Sequence, residues 1–126
     1  MTPPATSTRR AVPRTTRLVC GGYVVLAVVG LIGTWTFNLS YSGANYLGDW
    51  FANDASSSAA VDILVAFVVC VAMYVRESRR LAWRAWVPVV FAALSLTVAV
   101  AFAFPLFLAL REIALARRTQ AVGKAS

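Results

Sequence analysis

Basic residues divide this chain into three apolar runs, residues 18–38, 55–75 and 86–110, and that segregation constrains the fold more than any motif does. Each run is about 20 residues or longer, enough at about 1.5 Å per residue to cross a hydrocarbon core about 30 Å thick. The first and third runs hold no charged residue, and the second holds only Asp62. The chain is 60% apolar and 13% charged, against roughly 45–50% and about 25% for soluble domains. Three such helices in one small chain leave too little polar surface to cover them. The expected fold is all-α: an integral membrane protein with three transmembrane helices in a small bundle.

Around that membrane domain, taken as residues 18–115, the ends read differently. Residues 1–17 are rich in Pro, Thr and Arg with no apolar period, which predicts a disordered, basic cytoplasmic tail. Residues 116–126 form a second basic tail. All twelve Lys and Arg flank the apolar runs, where cations anchor helices and set topology, so the net charge of +7 carries no nucleic-acid signature. The loop at 38–54 has no Lys or Arg but holds Asp49 and Asp54, whereas the loop near 76–85 holds Arg76, Arg79, Arg80 and Arg84. With three spans, the positive-inside rule puts the N-terminus in the cytoplasm with eight basic residues inside against four outside. The same count sends the C-terminal end outside despite Arg111, Arg117, Arg118 and Lys124, in conflict with the rule. A cleaved signal peptide fits less well, because the first run exceeds the 7–15 apolar residues of such a segment.

Aromatic residues mark the boundaries. Trp35, Phe37, Tyr41, Tyr46, Trp50 and Phe51 gather near one face, and Tyr74, Trp83 and Trp86 near the other, as interfacial rings do. Cys20 and Cys70 both fall within apolar runs near a reducing compartment, where a disulfide is not expected. There is no His, so zinc and haem lack ligands, and no cofactor is implied. Ser56, Ser57 and Ser58 have no base beside them, which argues against an enzyme.

Small residues mark where membrane helices meet. Gly22, Gly30, Gly33 and Thr34 suggest one such face on the first helix. Ser58, Asp62, Ala66 and Cys70 suggest another on the second, and Ala92, Ser95, Ala99 and Ala103 a third. Pro88 suits a first helical turn, while Pro105 removes a hydrogen bond to residue 101 and predicts a bend there. If Asn53 or Asp54 caps the second helix, Asp62 lies about 12 Å inside it. A carboxylate at that depth costs on the order of 2.5–3.5 kcal/mol and ordinarily finds a partner. Three readings follow, in decreasing order of support. Asp62 is a structural hydrogen-bonding residue with Ser58, Thr34 or Asn38; or it is an ion partner of Arg111; or it is a protonatable transport site. The last is weakest, because no second charged residue within a span forms a relay.

The stretches "WFANDASSSAAVDILVA", "ESRRLAWRAW" and "FAFPLFLALRE" resemble the small bacterial membrane proteins grouped as domain of unknown function 2834. The likeness covers about residues 18–115 and is firmest from Trp50 onward. The matching positions are Phe51, Asn53, Asp62, Glu77, Arg80, Pro105, Arg111 and Glu112. The resemblance implies a three-helix membrane protein and brings no activity with it. The sequence therefore predicts a non-enzymatic accessory or structural component of the inner membrane. Its partners are the lipid bilayer and either further copies of itself or a larger membrane protein. The alternative is a small transporter or channel component using Asp62 as a protonatable or ion-binding site; under either reading Asp62, Ser58, Asn38 and Arg111 are the candidate intramembrane polar site.

Overall fold

A computed structural model describes residues 13–122. Among them the ordered elements are all helical: α1 (Arg14–Ser40), α2 (Tyr46–Asp49), α3 (Asp54–Arg80), α4 (Trp86–Thr97) and α5 (Val100–Val122). The helices α1 and α3 each have 27 residues and are long and apolar enough to cross a membrane; α4 is a shorter apolar helix. Residues 14–17, assigned above to the disordered tail, form the first turn of α1, and residues 116–122 continue α5. Residues 1–12 of the N-terminal tail and 123–126 of the C-terminal tail lie outside the described residues.

Asn53 caps α3 as its sequence suggests. Its side chain accepts from Ser56 N at 3.0 Å, while the Asn53 N–H donates to Ser56 Oγ at 3.3 Å, a reciprocal capping box. The helix ends in a Schellman motif: Trp83 N donates to Ser78 O at 2.8 Å and Ala82 N to Arg79 O at 3.1 Å. Ala82 takes the left-handed conformation this requires, with φ of 49°.

The apolar run at 86–110 is not one span. It breaks at Val98 and Ala99 and reverses, so that α4 and α5 form a tight helical hairpin. The Phe91 and Phe107 rings, which a continuous helix would hold about 24 Å apart, have centroids 5.1 Å apart. Trp83 also meets Phe107, edge-on at 5.6 Å. Local chemistry favours the break. Ser95 Oγ and Thr97 Oγ1 donate back to the carbonyls of Phe91 and Ala93, a pattern that loosens and bends helices. The Ala99 N–H reaches Leu94 O, one residue beyond the α-helical spacing. The expected bend at Pro105 is not where the chain turns: Pro105 lies within α5, just past its first turn.

The core lies where this hairpin packs against α3. Tyr74 and Phe107 are 0% exposed, with Cys70, Phe91 and Ala103 around them. Tyr74 Oη and Ser95 Oγ share a hydrogen bond at 3.0 Å, which satisfies the only polar atom of the buried tyrosine. Pairs Tyr74–Phe107 and Glu77–Arg111 show that α3 and α5 run in the same direction. Counting back from the Glu77–Arg111 pair, Val100 lies about 16 Å along α5 and Asp54 about 34 Å along α3. The hairpin tip therefore reaches only about halfway along α3.

The helix α1 packs antiparallel along α5. Cys20 Sγ–H donates to Ala109 O at 3.4 Å, and Gly30 lies against Ala101. A Cβ on Gly30 would stand 2.8 Å from Ala101 Cβ and 2.7 Å from its carbonyl carbon. The close approach falls at the carbonyl whose helical donor Pro105 removes. Gly22 and Gly33, grouped with Gly30 above, have no neighbour within 4 Å of such a Cβ and do not mark the interface. Because α5 runs back alongside α3 and antiparallel to α1, the start of α1, the turn after α3 and the end of α5 all lie at one end of the molecule. Among the described residues, Arg14 and Val122 therefore lie at the same end, whereas a third full crossing would put them at opposite ends. The arginines at 14, 17, 76, 79, 80, 84, 111, 117 and 118 are all at or near this basic end, and Asp49 and Asp54 are at the other.

Candidate functional site at the basic end

At the basic end, α3 and α5 are joined by a cluster of charges. Arg111 Nε donates to Glu77 Oε2 at 2.6 Å, and Arg111 Nη1 to Glu112 Oε1 at 2.7 Å. Arg80 Nη1 stands 3.6 Å from the other Glu77 oxygen. The Glu77 side chain is only 6% exposed and that of Arg111 20%, so this pair is held where water screens it poorly. Glu77 falls on the core face of α3 because it follows Cys70 and Tyr74 at spacings of seven and three, positions that return to one side of a helix. Arg118 completes the junction by donating to the carbonyls of Arg80, at 3.0 Å, and Leu81. A cation there meets the negative end of the α3 dipole and the carbonyls the helix leaves unpaired.

Beside this cluster the open mouth of the hairpin forms a cleft of about 510 Å³. Its walls are largely apolar, from Trp83, Trp86, Val87, Phe91, Leu110 and Ile113, and two exposed arginines, Arg84 and Arg117, also line it. The N-terminus of α4 starts here, without a side-chain cap or an acidic residue in its first turn.

The four polar residues singled out above are not brought together. Arg111 is paired with Glu77 and Glu112, so the Asp62–Arg111 ion pair does not form; at about 1.5 Å per residue Asp62 lies roughly 22 Å along α3 from Glu77. Asn38 Oδ1 accepts from Tyr46 Oη at 2.7 Å near the acidic end. Asp62 and Ser58 are both exposed, their side chains do not bond each other, and the Asp62 carboxylate has no hydrogen-bond or ion-pair partner among the described residues. The face of α3 that packs is instead the one carrying Ala60, Cys70, Tyr74, Glu77 and Ser78.

The acidic end has its own small structure. Tyr41 meets Tyr46 edge-on and Tyr46 meets Trp50 at a tilt, with centroid separations of 5.1 and 5.8 Å. Tyr41 Oη donates to Asp49 Oδ2 at 2.5 Å, and that bond holds the Tyr41 phenol above its ordinary pKa. Gly43 packs close beside this bond: a Cβ there would stand 2.7 Å from Asp49 Oδ2, so the Tyr41 and Asp49 side chains would have to shift.

From the sequence, Glu77 stood out only as a position shared with the family, and Arg118 only as a basic residue of the C-terminal tail. The available signal was the grouping of Glu77, Arg80, Arg111 and Glu112 in the family resemblance: three of these four make the tight cluster and Arg80 lies at its edge. Among the described residues no three of His, Cys, Asp and Glu are grouped to hold a metal ion. Comparison with curated proteins and with solved structures returned no match. The family model described as a protein of unknown function, DUF2834, matches residues 23–113, which include α3, the hairpin and the charge cluster. The chain belongs to the DUF2834 family.

Proposed function

We propose that this chain is a multi-pass protein of the bacterial inner membrane and serves there as a non-enzymatic accessory or structural component that assembles through α3. In this reading α1 and α3 cross the bilayer, while the α4–α5 hairpin enters from the cytoplasmic side and returns. The N- and C-termini are then both cytoplasmic, and the positive-inside rule is obeyed by the whole chain. A half-depth helical hairpin is compatible with lipid because its backbone is bonded internally and its tip is packed against protein.

The observation that carries the assembly reading is Asp62. It lies about 12 Å inside a span, exposed and unpartnered on the isolated chain. Facing lipid there would cost on the order of 2.5–3.5 kcal/mol, a penalty that a second protein surface removes. Val65 and Val69, three and seven residues further along the same face of α3, are likewise uncovered.

Single cysteines at Ser58 or Asp62, in a background with Cys20 and Cys70 replaced by Ala, test this in native membranes. Oxidation should trap adducts, either of two copies or with a larger protein, well above those from a cysteine at the exposed α1 position Val25. Equal yields at all three positions would remove the assembly reading. Loss of a measurable ion flux in Asp62→Asn, with adduct formation intact, would favour the transporter alternative.

A further inference from the structure

We infer that the cleft at the mouth of the α4–α5 hairpin binds one anionic glycerophospholipid, its phosphate between Arg84 and Arg117 and an acyl chain along the apolar wall. The inference rests on the membrane reading above, because only that reading places the cleft at the cytoplasmic headgroup level.

Three features converge. The first is charge. Neither the Arg84 nor the Arg117 side chain has a hydrogen-bond or ion-pair partner among the described residues, whereas the two nearby carboxylates, Glu77 and Glu112, are both bonded to Arg111. No acidic residue lines the cleft, so its two guanidinium groups are uncompensated. The second is the helix terminus. The positive end of the α4 dipole opens at the same mouth with no capping side chain and no acid in its first turn, which adds to the attraction for an anion. The third is the wall. Val87, Phe91, Leu110 and Ile113 offer an apolar surface that a soluble phosphate cannot use, and Trp86, more than half exposed, is the ring type that sits at the headgroup level. An anion with an attached hydrocarbon chain matches all three, as basic pockets between membrane helices on the cytoplasmic side do.

The test uses the full chain in nanodiscs of phosphatidylcholine containing phosphatidylglycerol, with one lipid at a time brominated on its acyl chains to quench tryptophan. Brominated phosphatidylglycerol should quench the emission of a variant retaining only Trp83 and Trp86 at lower mole fraction than brominated phosphatidylcholine. Each arginine should contribute about fivefold to that preference. The double variant Arg84→Gln/Arg117→Gln should abolish the preference, and Arg14→Gln/Arg17→Gln should retain it. Equal quenching by both lipids, or equal loss in the two double variants, would overturn the site while leaving the membrane reading intact. Loss of the preference on adding inorganic phosphate at constant ionic strength would assign the cleft to a soluble anion and overturn the lipid. Absence of quenching by either lipid would instead refute the membrane reading itself.

Discussion

Removing either partner of the Glu77–Arg111 pair should loosen the hairpin from α3, and the two losses should not be equal. At an effective dielectric near 20, opposite charges about 4 Å apart attract by about 4 kcal/mol, most of which offsets the cost of taking both out of water. Breaking a buried pair costs about 3–5 kcal/mol, because the remaining charge is stranded. Arg111→Met strands Glu77, whose side chain is 6% exposed and whose only other cation among the described residues, Arg80, is 63% exposed. A stranded carboxyl can escape by taking up a proton, at about 1.36 kcal/mol per pH unit above its ordinary value near 4.3, which caps the loss at about 4 kcal/mol near pH 7. Glu77→Gln leaves Arg111 20% exposed and still bonded to Glu112, so about 1–2 kcal/mol is expected. The double variant should cost less than the sum by about 1 kcal/mol or more. The assay is unfolding in mixed micelles by titration with a denaturing detergent, followed by tryptophan emission, with all four chains compared at one pH. Additivity within about 0.5 kcal/mol would refute the claim that this pair fastens α5 to α3.

Other substitutions probe the remaining contacts. Gly30→Ala should cost about 1–3 kcal/mol, because its methyl meets Ala101 backbone at 2.7 Å, and should reduce disulfide formation between Cys20 and a cysteine placed at Ala109. Gly33→Ala, which has open space around it, should leave both readouts unchanged. Ser95→Ala should cost about 1–3 kcal/mol in the same micelle titration, since it leaves the buried Tyr74 hydroxyl without its partner. Ser78→Ala, which removes a buried hydroxyl that has no hydrogen bond, should be neutral or stabilising.

What could be read from the residues, and what could not, follows from periodicity. The apolar middles of the first two long helices and the start of α3, with Asn53 and Ser56, are written in the sequence. Arginines do not end a helix, however: α1 begins at Arg14 inside the expected tail, and α3 continues to Arg80 through the expected loop. The face of α3 was misjudged because residues four apart do not stay on one side. Each step of four adds about 40° of drift, so from Ser58 to Cys70 the stripe turns through about 120°. Cys70 consequently reaches the core while Ser58 and Asp62 do not. The hairpin turn was invisible for a different reason. In a run apolar on every side, no periodicity separates one helix from two. Neither Val98 nor Ala99 is a Gly or Pro, and Pro105, the residue in this run that carries a bend signal, lies within α5 beyond the turn. The Glu77–Arg111 pair spans 34 residues and needed the hairpin to bring it together.

The measurement closest to the central claim is the sidedness of the C-terminus. A reporter pair fused after Lys124, one member active only in the cytoplasm and the other only outside it, should give cytoplasmic signal alone. A third full crossing by residues 86–110 would give external signal alone. That result would contradict the reversal at Val98–Ala99 and the topology built on it.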